Sequence, residues 1–239
     1  MFAQLRFDAK AFSGHVPLFP LPGVVLLPGN VLPLHVFEPR YRALVEDALA
    51  GERLIAPALL KPGYEADYEG APAIEEHVCL GRVILDQRLP DGRWNVVLLG
   101  LRRARVVDED RSGPFRRARV ELIDEEVAEA DEDSPETAAV AAEFAAYLED
   151  LPAGLVRDIE RLASAVSLLR AEVPANVPFG LAIDLASEAL LLGTDERQQL
   201  LAEGSPAARL QLLRARLDER AAPRRGPQRS KWPPRFSVN

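Results

Sequence analysis

Few side chains in this sequence could do chemistry. There are three histidines, His15, His35 and His77, and one cysteine, Cys79. His77 and Cys79 stand two apart in a stretch that reads as a strand, so both point to one face. A zinc site needs three or four ligands at recognisable spacing. His15 and His35 lie far off, and neither a C-x-x-C nor an H-E-x-x-H is present. No metal site is expected, and Cys79 reads as a partly buried free thiol. Nucleophilic chemistry finds no better footing, because there is no G-x-S-x-G elbow. The lysines are Lys10, Lys61 and Lys231, in a leader, a loop and a tail, so none stands on a rigid element beside a buried serine. No G-x-x-x-x-G-K-[ST] offers a phosphate cradle. The reading is non-enzymatic, with no catalytic residue and no cofactor.

One group is left as a binding candidate: Glu38, Arg40 and Tyr41 in F-E-P-R-Y. They lie at a corner between extended chain and helix. Glu38 is expected to satisfy one of the unpaired N–H groups at the helix start. Arg40 is expected to pair with a carboxylate from another strand.

The corner is set by the run before it. Pro17, Pro20, Pro22, Pro28, Pro33 and Pro39 punctuate an apolar stretch from His15. Each fixes its own φ and pushes the preceding residue out of the helical region. The run is therefore expected to form short strands with proline at starts, edges or corners, folded back at Pro22-Gly23 and Pro28-Gly29. Pro39 then suits a first helical position, and Tyr41, Leu44, Val45, Ala48 and Leu49 repeat at helical spacing up to Gly51.

Further along, Arg53 to Lys61 reads as a buried strand interrupted by Pro57, and Pro62 to Pro72 as a loop. Strands joined by turns follow from Ile74 to Glu125, with a hairpin at Pro90-Asp91-Gly92 and a bulge at Gly100. Arg102, Arg103 and Arg105, with Arg116, Arg117 and Arg119, read as a solvated sheet face. Short strands at this spacing suggest a barrel-like or sandwiched antiparallel sheet. The rest reads as helices. Ser134-Pro135 opens one, Leu155 to Leu169 carries a second, and Pro178 opens a third that ends at Gly193. Thr194 caps a fourth and Ser205-Pro206 opens a fifth.

The segments P-L-F-P-L, V-V-L-L-P-G and L-P-L-H-V-F-E-P-R-Y-R resemble the opening of the Lon N-terminal domain family. L-G-R-V-I-L, L-P-D-G-R-W-N-V-V-L-L-G-L-R-R and the helical stretch Glu196 to Leu213 extend the likeness to about residues 15 to 218. The resemblance implies an N-terminal antiparallel pseudo-barrel (PUA-like) β domain with one packed helix, followed by a C-terminal helical bundle. It also implies a corner at Glu38 to Tyr41 on the face that meets substrate. The expected division is a leader at 1–13, the β-rich domain at 14–125, an acidic linker at 126–133, the bundle at 134–220 and a basic, disordered tail at 221–239.

Of 239 residues, 28% are charged, and the formal net charge is −8. The six cations from Arg220 to Arg235 leave −14 for residues 1–219, a body that repels phosphate backbones. With one cysteine, no signal-peptide core and no long apolar run, a cytoplasmic protein without a membrane anchor is expected. The expected function is a protein-binding module for exposed apolar or unfolded polypeptide segments, as a free-standing recognition or adaptor protein, with a protease as a candidate partner. The alternative is an RNA- or small-ligand-binding PUA-like protein.

Overall fold

The computed structural model describes residues 7–68, 70–123, 142, 146, 147, 149, 150, 178–190 and 192–221. The acidic linker, the first two predicted helices and the basic tail lie outside these, apart from isolated positions. The described strands are β1 (His15–Leu21), β2 (Val31–Val36), β3 (Leu54–Leu59), β4 (His77–Arg88), β5 (Trp94–Asp110) and β6 (Arg117–Leu122). The described helices are α1 (Pro39–Ala50), α2 (Phe179–Ala189), α3 (Thr194–Ala202) and α4 (Pro206–Ala221).

The strands run β2-β5-β4-β3-β1-β6, and β6 pairs again with β5. Five strands therefore close a ring, with β2 outside it on β5. Closure removes every sheet edge except that of β2. One pairing departs from an all-antiparallel sheet, since β1 runs parallel to β3. Parallel neighbours need a crossover, and β2 with α1 supplies it.

The prolines explain the ring's corners. His15–Pro17 pair with β6, whereas Leu18–Leu21 pair with β3. Strand β3 switches too, pairing with β4 through Leu54 and Ile55 and with β1 from Ala56 to Leu59. Pro17, Pro20 and Pro57 sit in these switches, where a missing donor costs little, and Pro33 sits in the edge strand β2.

Helix α1 starts at Pro39 and buries Tyr41, Leu44, Val45 and Ala48, the apolar stripe expected from spacing. They pack with Phe19, Leu27, Val36 and Leu98. A second barrel cluster holds Val16, Leu18, Val78, Leu80 and Leu99, with Phe7 and Phe12 of the predicted leader packed against it. The helices α2 and α4 build a third, from Ile183, Leu190, Leu210, Leu213 and Leu217. Helix α2 stops at Ala189, before the expected Gly193, because Leu190 turns extended. The N–H of Gly193 then meets the Glu196 carboxylate at 2.5 Å, where a Thr194 cap had been expected.

Strands β4 and β5 meet through the predicted hairpin, where Gly92 holds φ +81° and Leu89 N–H reaches Arg93 O at 2.8 Å. The bulge also stands where expected. Gly81 faces Gly100 while Leu80 faces Arg102, so Leu101 is the extra residue. Gly29 N–H donates to Gly100 O and Gly100 N–H to Asn30 O, each at 2.9 Å. A Cβ on Gly100 would run into the carbonyl of Leu27, which is backbone and cannot step aside. Gly100→Val should therefore cost about 2 kcal/mol and lower the melting temperature by roughly 5 °C. Calorimetry of the two proteins checks this.

Candidate functional site

Strand β2 runs out through Phe37 into Glu38, whose extended backbone (φ −65°, ψ 135°) precedes Pro39. The Glu38 side chain makes no capping bond, contrary to expectation. Its backbone carbonyl already accepts from Tyr41 and Arg42 N–H at 3.0 and 2.9 Å. Its carboxylate accepts instead from Arg40 Nε at 3.0 Å and from Tyr68 Oη at 3.3 Å. Arg40 thus pairs with a carboxylate two residues back. Its guanidinium also lies 4.7 Å from the Tyr41 ring centre and 5.5 Å from that of Tyr68, and donates to Tyr68 O at 3.4 Å. Tyr41 is buried, with its ring centre 4.4 Å from that of Phe19, and burial pushes its phenol up to about 12. The three expected residues do come together. The member that sequence reasoning missed is Tyr68, whose spacing of four from Tyr64 in a polar loop was the available signal.

Beside this corner lies an outward face on which apolar side chains flank the polar row His35, Asn95 and Gln87. Phe37 is 60% exposed and Leu85 is 53% exposed. The β2–β5–β4 register sets Pro33, Val97 and Leu85 in one cross-strand row. Among the described residues, the backbone of β2 bonds to β5 alone, and Val31–Val36 contains no Asp, Glu, Lys or Arg. The His35 ring lies between Asn95 Oδ1 at 2.8 Å and Arg93 Nη1 at 3.3 Å, which suits the tautomer protonated on Nδ1.

The arginine rows differ from expectation. Arg105 and Arg119 are exposed, but Arg103 and Arg116 are buried. Arg116 donates to Glu109 Oε2 at 2.6 Å and to Pro72 O at 2.8 Å. Arg103 Nη2 lies 2.5 Å from Asp184 Oδ1, and Arg209 Nη1 lies 2.9 Å from both oxygens of the same carboxylate. Two of the six arginines are thus spent on ion pairs inside the fold. Asp184 and Arg209 were not singled out in the sequence. The mark of Asp184 was there, as the one acid in the apolar stretch F-G-L-A-I-D-L-A-S.

Residues 15–219 match the ATP-dependent protease La (LON) substrate-binding domain. The chain belongs to that family. Lon protease 2 of Sorangium cellulosum is 37% identical over 113 residues, which is 46% of this chain and 14% of that protein. The Lon protease of Anaeromyxobacter dehalogenans is 27% identical over 206 residues, 83% of this chain and 22% of that protein. The chain thus spans less than a quarter of these relatives, and the family match is to their substrate-binding domain. A Lon N-terminal domain protein from Xanthomonas campestris superposes with a TM-score of 0.58 at 28% identity, covering 84% of this chain and 97% of that one. The N-terminal domain of a Mycobacterium avium complex Lon protease gives a TM-score of 0.59 at 19% identity, over 86% and 98%, and so shares the fold.

Other features of this Lon-domain chain are accounted for locally. A cleft of about 430 Å³ at the end of α1 is lined by Ser13, His15, Asp47, Glu52 and Arg117. Asp47 pairs with Arg117, and Glu52 accepts from Ser13 Oγ at 3.2 Å. Among the described residues, no three metal-binding side chains gather, and no helix is long and apolar enough to cross a membrane. Cys79 is fully buried, and burial pushes its thiol up from 9.0 to about 12. A thiol that loses its proton near 9 when unfolded and near 12 when folded stabilises the fold below pH 9. That stability is lost as pH rises from 9 to 12. Thiol-reactive dye at pH 8.5 should therefore label Cys79 only after denaturant is added, as mass spectrometry would read. Arg40→Ala should lower stability by about 1–2 kcal/mol through its ion pair and ring contacts, which a urea melt measures.

Proposed function

We propose that this chain is a non-catalytic module that recognises exposed apolar or unfolded polypeptide segments. In this reading it is a free-standing recognition or adaptor protein of the cytoplasm that works beside a protease. The observation that carries the reading is the pair of exposed apolar side chains Phe37 and Leu85, with Pro33 and Val97 in the row of Leu85, beside the corner of Glu38, Arg40 and Tyr41. Family membership supports it, because the matched domain is a substrate-binding one. Burying a Phe or Leu side chain contributes about 1.5–3 kcal/mol, and apolar contact with few fixed polar partners tolerates varied sequences. The Glu38–Arg40–Tyr68 network would hold Phe37 in place at the rim while leaving its ring free to contact a partner. The β-rich unit 14–125 would present the surface, and the helical unit 134–220 would buttress it.

An RNA-binding reading has less to stand on. Arg103 and Arg116 face inward, and the charge of residues 1–219 is −14.

The test is binding of one reporter protein in its unfolded, carboxymethylated form and in its native form, measured by calorimetry. The chain should bind the unfolded form at least tenfold more tightly. F37S/L85S should weaken that binding by about 30-fold or more, from two lost apolar contacts. Equal affinity for both forms, or no effect of the double substitution, would remove the proposal.

A further inference from the structure

The barrel and the helical unit keep separate apolar cores. Ile183, Leu190, Leu210, Leu213 and Leu217 form the helical one, and from α2–α4 only Leu201 enters the barrel's clusters. The seam between them is largely polar and directional. Gln198 Nε2 donates to His77 O at 2.9 Å, and Thr194 Oγ1 to Gly23 O at 3.3 Å. Asn30 Nδ2 donates to the backbone carbonyl of Asp184 at 3.3 Å. At the centre, the Asp184 carboxylate lies between Arg103 of β5 and Arg209 of α4, with all three side chains no more than 1% exposed.

A seam of this kind behaves differently from a shared apolar core. Taking one partner out of a buried ion pair is far more costly than replacing the whole pair by apolar groups. The Asp184 carboxylate is therefore a counter-charge that the two buried guanidiniums share. Polar interfaces between units also open without breaking either core. We propose that Asp184 is an ionic latch that docks the helical unit on the barrel, and that the latch can be released while both cores stay folded. Release uncovers Leu181 and Leu185, which press on Gly29 in the docked form, together with Leu201. The latch stands apart from the Phe37 face and does not depend on what that face binds.

Hydrogen exchange by mass spectrometry on full-length wild type and Asp184→Asn tests this. Peptides covering 22–30 and 194–202 should exchange at least tenfold faster in the variant, while those covering Val78–Leu80 and Val96–Leu99 keep wild-type rates. Equal acceleration of all peptides would mean one indivisible fold and would overturn the latch. Unchanged exchange everywhere would do the same. Should Asp184→Asn fail to fold, Asn30→Ala removes one seam bond and no charge. It should speed the same two segments a few-fold and spare the barrel strands; uniform or absent change overturns the proposal. As a further check, D184L/R103M/R209M removes every charge of the triad and should bring the seam peptides back towards wild-type rates. Persistent fast exchange there would count against an ionic cause.

Discussion

Backbone meets backbone at Gly100, and much of the architecture follows from that approach. The turn Leu27–Asn30 can lie on β5 only because no side chain stands there, and two hydrogen bonds fix it in place. The bulge beside it inserts Leu101, which reverses the alternation along β5. Before the bulge, Asn95 and Val97 face outward, while Trp94, Val96 and Leu98 face in. After it, Leu101 and Arg103 face in and Arg102 does not. One extra residue thus sets Arg103 opposite Cys79, from where it reaches Asp184.

This accounts for the way the two stretches V-V-L-L-P-G-N and G-L-R-R, far apart in the chain, act as one structural unit. The first supplies Gly29 and Asn30, the second Gly100 and Arg103, and both converge on α2. Glycine at position 29 lets Leu181 come close, so the same turn touches the barrel on one side and the helical unit on the other. The apolar residues around Phe37 lie elsewhere, across β2 and the neighbouring stretches of β5 and β4. Packing and exposure are thereby divided between opposite sides of β5's neighbourhood, and the outward face need not contribute to the core.

Local signals were legible before any coordinates. Pro39 and the Tyr41–Ala48 stripe marked α1, Asp91-Gly92 marked the hairpin, Gly100 the bulge, and Ser205-Pro206 the start of α4, where Ala208 N–H bonds to Ser205 Oγ. Non-local features were not. Nothing in the proline pattern says that β1 and β3 each change partner half-way, because that depends on strands distant in the sequence. The inward turn of Arg103 could not be read without knowing which residue the bulge inserts. The Glu38 cap was a reasonable local expectation that lost to a tertiary partner, since Tyr68 and Arg40 both compete for its oxygens. At the corner, residue identities were legible and their partners were not.

The position of β1 has a consequence for how the chain comes off the ribosome. Of the described strands this one is made before the others, yet one flank waits for β3 and the other for the later β6. Until Arg117–Leu122 has emerged, Val16 and Leu18 lack the neighbours that cover them. A nascent chain arrested before that point carries an unfinished, greasy seam, the kind of surface that chaperones hold. Among the described strands, the earliest to be synthesised is among the last to be sealed.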